Sequence, residues 1–243
     1  MKLKVLGSSS RGNCYILEND SEALILEAGV KFAEVQKALD FNIKKIVGCL
    51  ITHEHTDHAG RILEFPRFVP LFASEGTMIK CVSSPNLRAI KANKPFMVGQ
   101  FKIIPFAAQH DAAEPLGFFI NHPETGNVLF ATDTYYLPCT FAGLNNILIE
   151  ANYRLDILER NIAAGKIPMA MRTRILQSHF SYEHCLEALQ ANDLRAVNNI
   201  VLIHLSDGNS HAQDFKEGIH KATGKRVHIA EPGLELLLNK TPF

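Results

Sequence analysis

Short apolar segments alternate with polar turns along the whole chain, and their spacing predicts a mixed α/β protein. Strand-like runs open the sequence and recur in both halves, while segments with apolar residues at helical spacing lie between them. The predicted strands are residues 2–7, 14–18, 23–27, 49–52, 69–73, 96–98, 101–107, 116–121, 128–131, 147–150, 200–205, 226–229 and 234–238. The predicted helices are residues 32–39, 155–164, 182–190 and 211–222, with one more beginning within 59–63.

Length and composition predict one domain that covers residues 1–243. A chain of this length, with 47% hydrophobic residues and no Pro/Gly linker or internal repeat, can bury a full core. No apolar run approaches the ~18 residues that span a bilayer, so no membrane partner is predicted. The N-terminal strand is too short for a signal-peptide core, and the five cysteines form no CxxC pair. These features favour reduced thiols and a cytoplasmic location.

The charge is neutral in sum but uneven along the chain. A formal net charge of zero counts against a sequence-independent nucleic-acid coat. Two stretches, residues 76–110 and 160–181, nevertheless contain Lys and Arg but no acidic residue. They are either ordinary solvated faces or a cationic rim that guides an anionic substrate toward a site.

The densest group of candidate ligands is the run Thr52-His-Glu-His-Thr-Asp-His-Ala-Gly60. It places His53, His55, Asp57 and His58 within six residues, directly after an apolar segment. His53 and His55 alternate and can face one metal ion, whereas Asp57 and His58 follow a turn and can face a second. Imidazole combined with carboxylate suits zinc, manganese or iron. The alternative is an exposed and inert histidine-rich loop, which the preceding apolar segment disfavours.

Three further polar residues each close an apolar, strand-like run, where a buried strand delivers a side chain to a site. His110 follows one such run, Asp133 follows the next, and His204 follows a third. Any one of them alone is an ordinary strand end. Together they support a shared site, because two adjacent metal ions need more ligands than one loop supplies.

This ligand order, His-x-His-x-Asp-His followed by His, Asp and His, resembles that of the metallo-β-lactamase-fold hydrolase superfamily. The resemblance implies an α/β protein built as a four-layered αβ/βα sandwich, with two mixed sheets flanked by helices. It also implies two bound divalent metal ions, either Zn²⁺ or Mn²⁺. The implied ligands are His53, His55 and His110 for the first ion, Asp57, His58 and His204 for the second, and Asp133 as the bridge.

Such a site predicts hydrolysis by a hydroxide that bridges the metal ions and is oriented by Asp57. The metals do not choose the electrophile, and His179 is the residue that best discriminates. It is either part of a helix-cap neighbourhood, with Ser181 as the cap, or a group that contacts a phosphoryl oxygen or protonates a leaving alkoxide. A histidine at this point resembles ribonuclease Z-like phosphodiesterases rather than glyoxalase II-like or lactonase-like members.

Three more stretches resemble the WalJ-like subgroup, for which DNA exonuclease activity is implied. They are Gly7-Ser-Ser-Ser-Arg-Gly-Asn-Cys-Tyr15, Ile149-Glu-Ala-Asn-Tyr153 and His204-Leu-Ser-Asp-Gly-Asn-Ser210. The first is either a hairpin turn or a phosphate contact, and Asn152 either supports the site or is a turn residue. The segment from Asp133 to His179 is too short for a β-CASP insertion, and no long arm for gripping tRNA is evident.

The sequence therefore predicts a metal-dependent hydrolase, specifically a phosphodiesterase that acts on nucleic acid as a DNA exonuclease. Asp57 and His179 are the predicted catalytic residues. An acyl hydrolase of the glyoxalase II or lactonase type, acting on a small thioester or lactone, is the alternative within the same fold. A metal-bound binding protein without turnover is a third interpretation. The native metal, DNA versus RNA, the polarity of cleavage and the oligomeric state stay open.

Overall fold

The structure is a computed structural model that describes residues 1–81 and 83–241. Its strands are β1 (Lys2–Ser9), β2 (Gly12–Glu18), β3 (Ala23–Leu26), β4 (Ile46–Leu50), β5 (Leu71–Ser74), β6 (Leu87–Ile90), β7 (Phe96–Val98), β8 (Phe101–Ala107), β9 (Leu116–His122), β10 (Gly126–Ala131), β11 (Leu144–Glu150), β12 (Asn199–Ile203), β13 (Arg226–Ile229) and β14 (Glu235–Leu237). Its α-helices are α1 (Phe32–Ala38), α2 (Thr56–Ala59), α3 (Glu75–Lys80), α4 (Leu155–Ala163), α5 (Met169–Ser178), α6 (Tyr182–Ala191) and α7 (Ala212–Thr223). Among these residues, no helix combines the length and the apolar character needed to cross a membrane.

The strands form two seven-stranded mixed sheets. The first sheet has the order β14-β1-β2-β3-β4-β5-β6, and the second has the order β13-β12-β11-β10-β9-β8-β7. Strands β3 to β6 run parallel to one another, and so do β10 to β13. The neighbouring strands, such as β1 with β2 and β8 with β9, pair antiparallel.

Both faces of each sheet are buried. Successive side chains of a strand point to opposite sides, so neighbouring residues of one strand pack into two different cores. In β2, Tyr15 and Leu17 join the core between the two sheets, whereas Cys14 and Ile16 pack in the core that includes α1. The second sheet repeats this pattern, with its outer face against α6 and α7. Helix, sheet, sheet and helix therefore form four layers, which confirms the predicted αβ/βα sandwich.

The carboxyl ends of the parallel strands carry the polar residues of interest. Glu27 follows β3, Asp133 lies two residues beyond β10, Glu150 ends β11 and His204 follows β12. The run that begins at His53 lies just beyond β4. Open α/β sheets commonly bind their ligands at this end of the strands, so the topology gathers these side chains at one place.

Four elements, one predicted in the wrong place and three not predicted, show where apolar spacing fails as a guide. The helix expected to begin within residues 59–63 is instead α2, which ends at Ala59, followed by a 3-10 turn at Ile62–Glu64. Strand β6 and helices α3 and α5 were not predicted. Helix α5 buries only Ser178, so it has no apolar stripe from which its period could be recognised.

Candidate metal centre

Residues His53, His55, His110 and Asp133 form the first group of side chains that could hold a metal ion. One potential ligand atom of each lies within 4.8 Å of those of the others. The ring nitrogens His55 Nδ1 and His110 Nε2 are 3.1 Å apart, and His53 Nε2 is 3.8 Å from Asp133 Oδ2. The structure thus brings together residues that are 80 positions apart in the sequence, in the grouping that the resemblance implied.

Residues Asp57, His58 and His204 form a second group with the same spacing. Asp57 Oδ2 lies 3.2 Å from His58 Nε2 and 3.4 Å from His204 Nε2. Helix α2 places Asp57 and His58 side by side, and the end of β12 supplies His204. The three residues predicted to hold the second metal ion therefore lie close together.

Asp133 lies between the two groups. Its Oδ2 is 3.4 Å from His58 Nε2 and 3.5 Å from His110 Nε2, while its Oδ1 is 3.0 Å from His204 Nδ1. The carboxylate is 3% exposed, and the histidine charges around it hold its pKa well below the usual range although burial opposes this. This is the position that a bridging ligand requires.

The donor atoms fit a divalent metal ion. Among the described residues, the buried nitrogens His53 Nε2 and His204 Nε2 have no hydrogen-bond partner. An unpaired buried polar atom is costly, and a coordinated cation would satisfy both atoms. Imidazole nitrogens with carboxylate oxygens are the donor set that zinc and manganese accept.

Neighbouring groups fix the orientation of the histidine rings. Thr52 Oγ1 is 2.9 Å from His53 Nδ1, and the same hydroxyl donates to the buried Glu27 at 2.6 Å. His110 Nδ1 donates to the carbonyl oxygen of Ser178, the last residue of α5, at 2.6 Å. Each contact occupies one ring nitrogen and leaves the other for the cluster, as metal-binding histidines require.

Glu150 is a functional candidate that the sequence analysis did not single out as a site residue. Its buried carboxylate accepts hydrogen bonds from His179 Nδ1 at 2.7 Å and from His204 Nδ1 at 2.9 Å. It also accepts from the backbone N–H groups of Phe180 and Thr134. The signal was present, because Glu150 closes an apolar strand as Asp133 does.

The hairpin between β1 and β2 supports the site from the other side. Asn13 Nδ2 lies 3.2 Å from Asp57 Oδ2, and Ser8 Oγ accepts from the backbone N–H of His204 at 2.9 Å. Asn152 Nδ2 donates to the carbonyl oxygen of His204 at 2.8 Å. The stretch Gly7–Tyr15 therefore forms a hairpin, and two of its side chains hold candidate ligands in place.

The backbone is strained where the strands deliver these residues. Glu27, Asp133 and His204 have backbone φ values of 70°, 44° and 53°. Residues other than glycine rarely adopt this left-handed region. Each such residue costs roughly 1–3 kcal/mol, and the surrounding contacts must hold it in place. Strain of this kind is common at functional sites, so its occurrence at three converging strand ends supports this cluster as the candidate site.

Charged neighbours shift the pKa values of two candidate ligands in opposite directions. Burial, together with nearby imidazoles, lowers the pKa of His53 well below its usual value. Burial would also lower the pKa of His204, but carboxylates led by Asp133 raise it to about 10. Neutral His53 can bind a metal ion directly. A metal ion at His204 must displace a proton, so its affinity falls as the pH is lowered.

The sequence profile of the beta-lactamase superfamily domain matches residues 25–205, a span that includes every candidate ligand. The chain belongs to the beta-lactamase superfamily. It is a hydrolase of this superfamily, and the predicted resemblance is confirmed. The fold and the histidine–aspartate clusters indicate that it uses divalent metal.

Curated superfamily relatives carry nuclease names. Exodeoxyribonuclease WalJ of Streptococcus pneumoniae serotype 2 (strain D39 / NCTC 7466) is 29% identical over 252 residues, which cover 96% of this chain and 90% of the relative. Exodeoxyribonuclease YycJ of Bacillus anthracis is 26% identical over 227 residues, covering 86% and 84%. The Zn²⁺-bound PqqB of Methylobacterium extorquens has a TM-score of 0.69 at 15% identity, covering 98% of this chain and 100% of that one, which shows likeness of fold.

The candidate metal centre opens into a cavity of about 400 Å³, here called the metal cleft. Three residues of α5, Met171, Arg174 and Ile175, line it together with His179. Five of the candidate ligands also line it: His55, Asp57, His110, Asp133 and His204. A neighbouring space of about 650 Å³, the arginine vestibule, is lined by Arg11, Arg61 and Arg174 together with His55 and Asp57. Of the two acid-free stretches, residues 160–181 thus supply a wall of the cleft. Residues 76–110 supply only His110 to these two described spaces.

Gly29 packs closely against the backbone of the candidate ligand Asp57, and a substitution there tests how much that packing matters. A side-chain carbon at Gly29 would overlap the carbonyl oxygen of Asp57 and press on the backbone nitrogen of Asn13. We expect Gly29→Ala to destabilise the protein by roughly 1–3 kcal/mol and to weaken metal binding, because Asp57 must move. Chemical denaturation and metal titration would measure both effects. Gly208→Ala is the control, since a side-chain carbon there meets no atom within 4 Å; equal behaviour of the two variants would contradict the prediction.

Proposed function

We propose that this chain is a two-metal phosphodiesterase that acts on nucleic acid, specifically as a DNA exonuclease. The observation that carries the proposal is the placement of His179 and Glu150 beside two candidate metal groups that meet at Asp133. Two divalent ions, Zn²⁺ or Mn²⁺, would be held by His53, His55, Asp57, His58, His110, Asp133 and His204. The nuclease names of relatives at modest identity support the same substrate class.

When bound, the metal ions would lower the pKa of a water molecule and neutralise charge on the phosphate. Asp57 is suited to orient the attacking water. Burial opposes ionisation of Asp57, but the neighbouring imidazoles of His204 and His58, whose Nε2 atoms lie 3.4 and 3.2 Å from Asp57 Oδ2, hold the pKa of its carboxyl well below the usual range. Asp57 therefore stays ionised at neutral pH and accepts a hydrogen bond, which fixes the direction from which water approaches.

His179 is suited to donate a proton to the leaving oxygen. Burial would lower the pKa of His179, but the carboxylate of Glu150 raises it above the usual value. With Nδ1 bound to Glu150, Nε2 is the ring nitrogen left for a group in the metal cleft. A protonated imidazole held in this way is a general acid for a departing alkoxide.

Cleavage of end-labelled linear DNA tests the proposal. Purified protein would be loaded separately with Mn²⁺ and with Zn²⁺, its metal content measured, and duplexes labelled at either 5′ or 3′ ends supplied. We expect progressive shortening from one end, with closed circular DNA left intact. Labelled RNA of the same sequence, assayed in parallel, would decide between the two nucleic acids.

The results of these assays distinguish the nuclease from the acyl hydrolase and from a binding protein without turnover. Protein that holds two metal ions yet leaves every nucleic acid intact would overturn the proposal. Turnover of small thioesters or lactones by that same preparation would instead support the acyl hydrolase. Tight DNA binding without turnover of any substrate would support a binding protein.

A further inference from the structure

A further cavity, here called the side cavity, lies beside the metal cleft and has no role in the proposed hydrolysis. It has a volume of about 660 Å³, and none of the candidate metal ligands lines it. Its walls come from the β1–β2 hairpin, the loop after β12, the start of α7 and the end of β13. Its volume lies within the roughly 300–1,000 Å³ that is typical of small-molecule sites.

The side cavity adjoins the metal cleft through shared wall residues. Ser9, Leu205, Ser206 and Asp207 line both spaces. Ser8, another wall residue of the side cavity, bonds directly to the backbone of the candidate ligand His204. The side cavity therefore lies directly beside the metal cleft.

An ion pair stands at the boundary between these spaces. Arg11 Nη2 lies 2.6 Å from Asp207 Oδ2, and the two side chains are 81% and 75% exposed. Arg11 lines both the side cavity and the arginine vestibule. An exposed pair of this kind contributes little to stability, so an anion can replace Asp207 at little cost. Arg11 can then bind a phosphate with its planar guanidinium.

The residues that line the side cavity suit a flat, amphipathic ligand. Apolar side chains, including Leu6, Val30 and Pro232, provide surface for a ring, while hydroxyls such as Ser210 and the His211 imidazole provide polar contacts. A nucleoside has this chemistry, because its base is flat and apolar on its faces and polar at its edges. In a nucleic-acid strand it is also joined to a phosphate, and Arg11 is a cation in the lining of the same cavity.

We propose that the side cavity binds the nucleoside at the end of a strand while Arg11 exchanges Asp207 for the adjoining phosphate. The inference rests on the proposed function, since it places the scissile phosphodiester in the metal cleft. It adds a separate binding site that recognises the base and sugar. Filling of this site by a terminal nucleoside would favour cleavage at strand ends over internal cleavage.

Binding of small nucleotides to the metal-loaded protein tests the site without requiring catalysis. Isothermal titration would compare deoxyadenosine 5′- and 3′-monophosphates with deoxyribose 5-phosphate and inorganic phosphate. We expect at least one nucleotide isomer to bind roughly tenfold or more tightly than deoxyribose 5-phosphate, because only the nucleotide contributes a base. Arg11→Gln should weaken binding of that nucleotide by roughly tenfold.

Substitutions on α7 test whether the nucleotide binds in the side cavity. Ala212 lines the side cavity, so Ala212→Phe should fill it and weaken nucleotide binding roughly tenfold while leaving phosphate binding and metal content unchanged. Ala222→Phe, at the exposed far end of the same helix, is the matched control. Ala212→Leu serves as a smaller filler if the phenylalanine variant does not fold.

The outcomes distinguish this site from the nuclease proposal. Equal affinity for nucleotide and deoxyribose 5-phosphate would overturn the side-cavity proposal, as would unchanged nucleotide affinity in a folded Ala212 variant. If DNA is cleaved under those conditions, the nuclease proposal survives alone. If cavity-dependent nucleotide binding is found in protein that cleaves no nucleic acid, the binding site stands and the proposed function fails.

Discussion

We expect His179→Ala to slow DNA cleavage by roughly 10²- to 10⁴-fold while the protein keeps its metal ions, the range typical of a lost general acid. His179 reaches the cluster through Glu150, which accepts its Nδ1–H at 2.7 Å, and its own Nδ1 is 3.8 Å from Asp133 Oδ2. The variant removes the proton donor and leaves all seven proposed ligands in place.

Comparing substrates that differ in their leaving group tests whether His179 acts as a general acid or in another role. A phosphodiester with a nitrophenolate leaving group needs little protonation, so His179→Ala should slow its hydrolysis far less than that of DNA. Single-turnover rates across a pH series should also lose the decline at high pH that titration of His179 produces in the wild type. His184→Ala is the control, because His184 is an exposed histidine on the adjacent helix α6.

A different result would assign His179 to the metal. One potential ligand atom of His179 lies within 4.8 Å of those of Asp133, Glu150 and His204, so this group could also hold an ion. Loss of one metal equivalent in His179→Ala, with equal slowing on both substrates, would contradict the general-acid role and indicate a ligand.

Glu150→Gln is expected to have the largest effect on stability. The Glu150 carboxylate is fully buried and accepts four hydrogen bonds, two from histidine rings and two from backbone N–H groups. An amide of the same size turns one acceptor into a donor that faces other donors. It also removes the negative charge that raises the pKa values of His179 and His204.

Loss of one partner of a buried charged network costs about 3–5 kcal/mol in the free energy of unfolding, which corresponds to a Tm lower by roughly 6–20 °C for a protein of this size. Calorimetry of the metal-free protein would measure this without the contribution of bound ions. Metal affinity should fall as well, by roughly 10- to 100-fold, because His204 loses the partner that orients it. Glu183→Gln, at an exposed glutamate of α6, is the control. A Tm within 2 °C of the control would refute the role given to Glu150.

The strand ends were the part of the site that sequence reasoning could locate. A buried parallel strand is apolar on both faces, so a polar residue just beyond its end stands out, as with Asp133 after β10 and His204 after β12. Glu150 met the same criterion, yet neither its spacing nor its residue type distinguished a metal ligand from a residue that holds ligands in place. That distinction depends on the 2.7 and 2.9 Å contacts to two histidines.

Helix α5 and the hairpin at Asn13 show a different limit. The helix exposes most of its side chains, including Arg174, because it forms a wall of the cleft rather than packing on a sheet. Its sequence therefore lacks the apolar period by which buried helices are recognised. Asn13 lies in a run of turn-forming residues, and its contact with Asp57, 44 positions away, leaves no local signature.

The sequence by itself determined the kinds of donor atoms, their order along the chain and the apolar strands that carry them, because these follow from residue type and short-range spacing. Only the tertiary structure decided which groups meet. The pairing of Glu150 with His179, the placement of Arg11 against Asp207 and the close approach of Gly29 to Asp57 join segments 28 to 196 residues apart. Such contacts arise from the way the strands of each sheet, their connecting segments and the two sheets pack together, and no local pattern of residues encodes them.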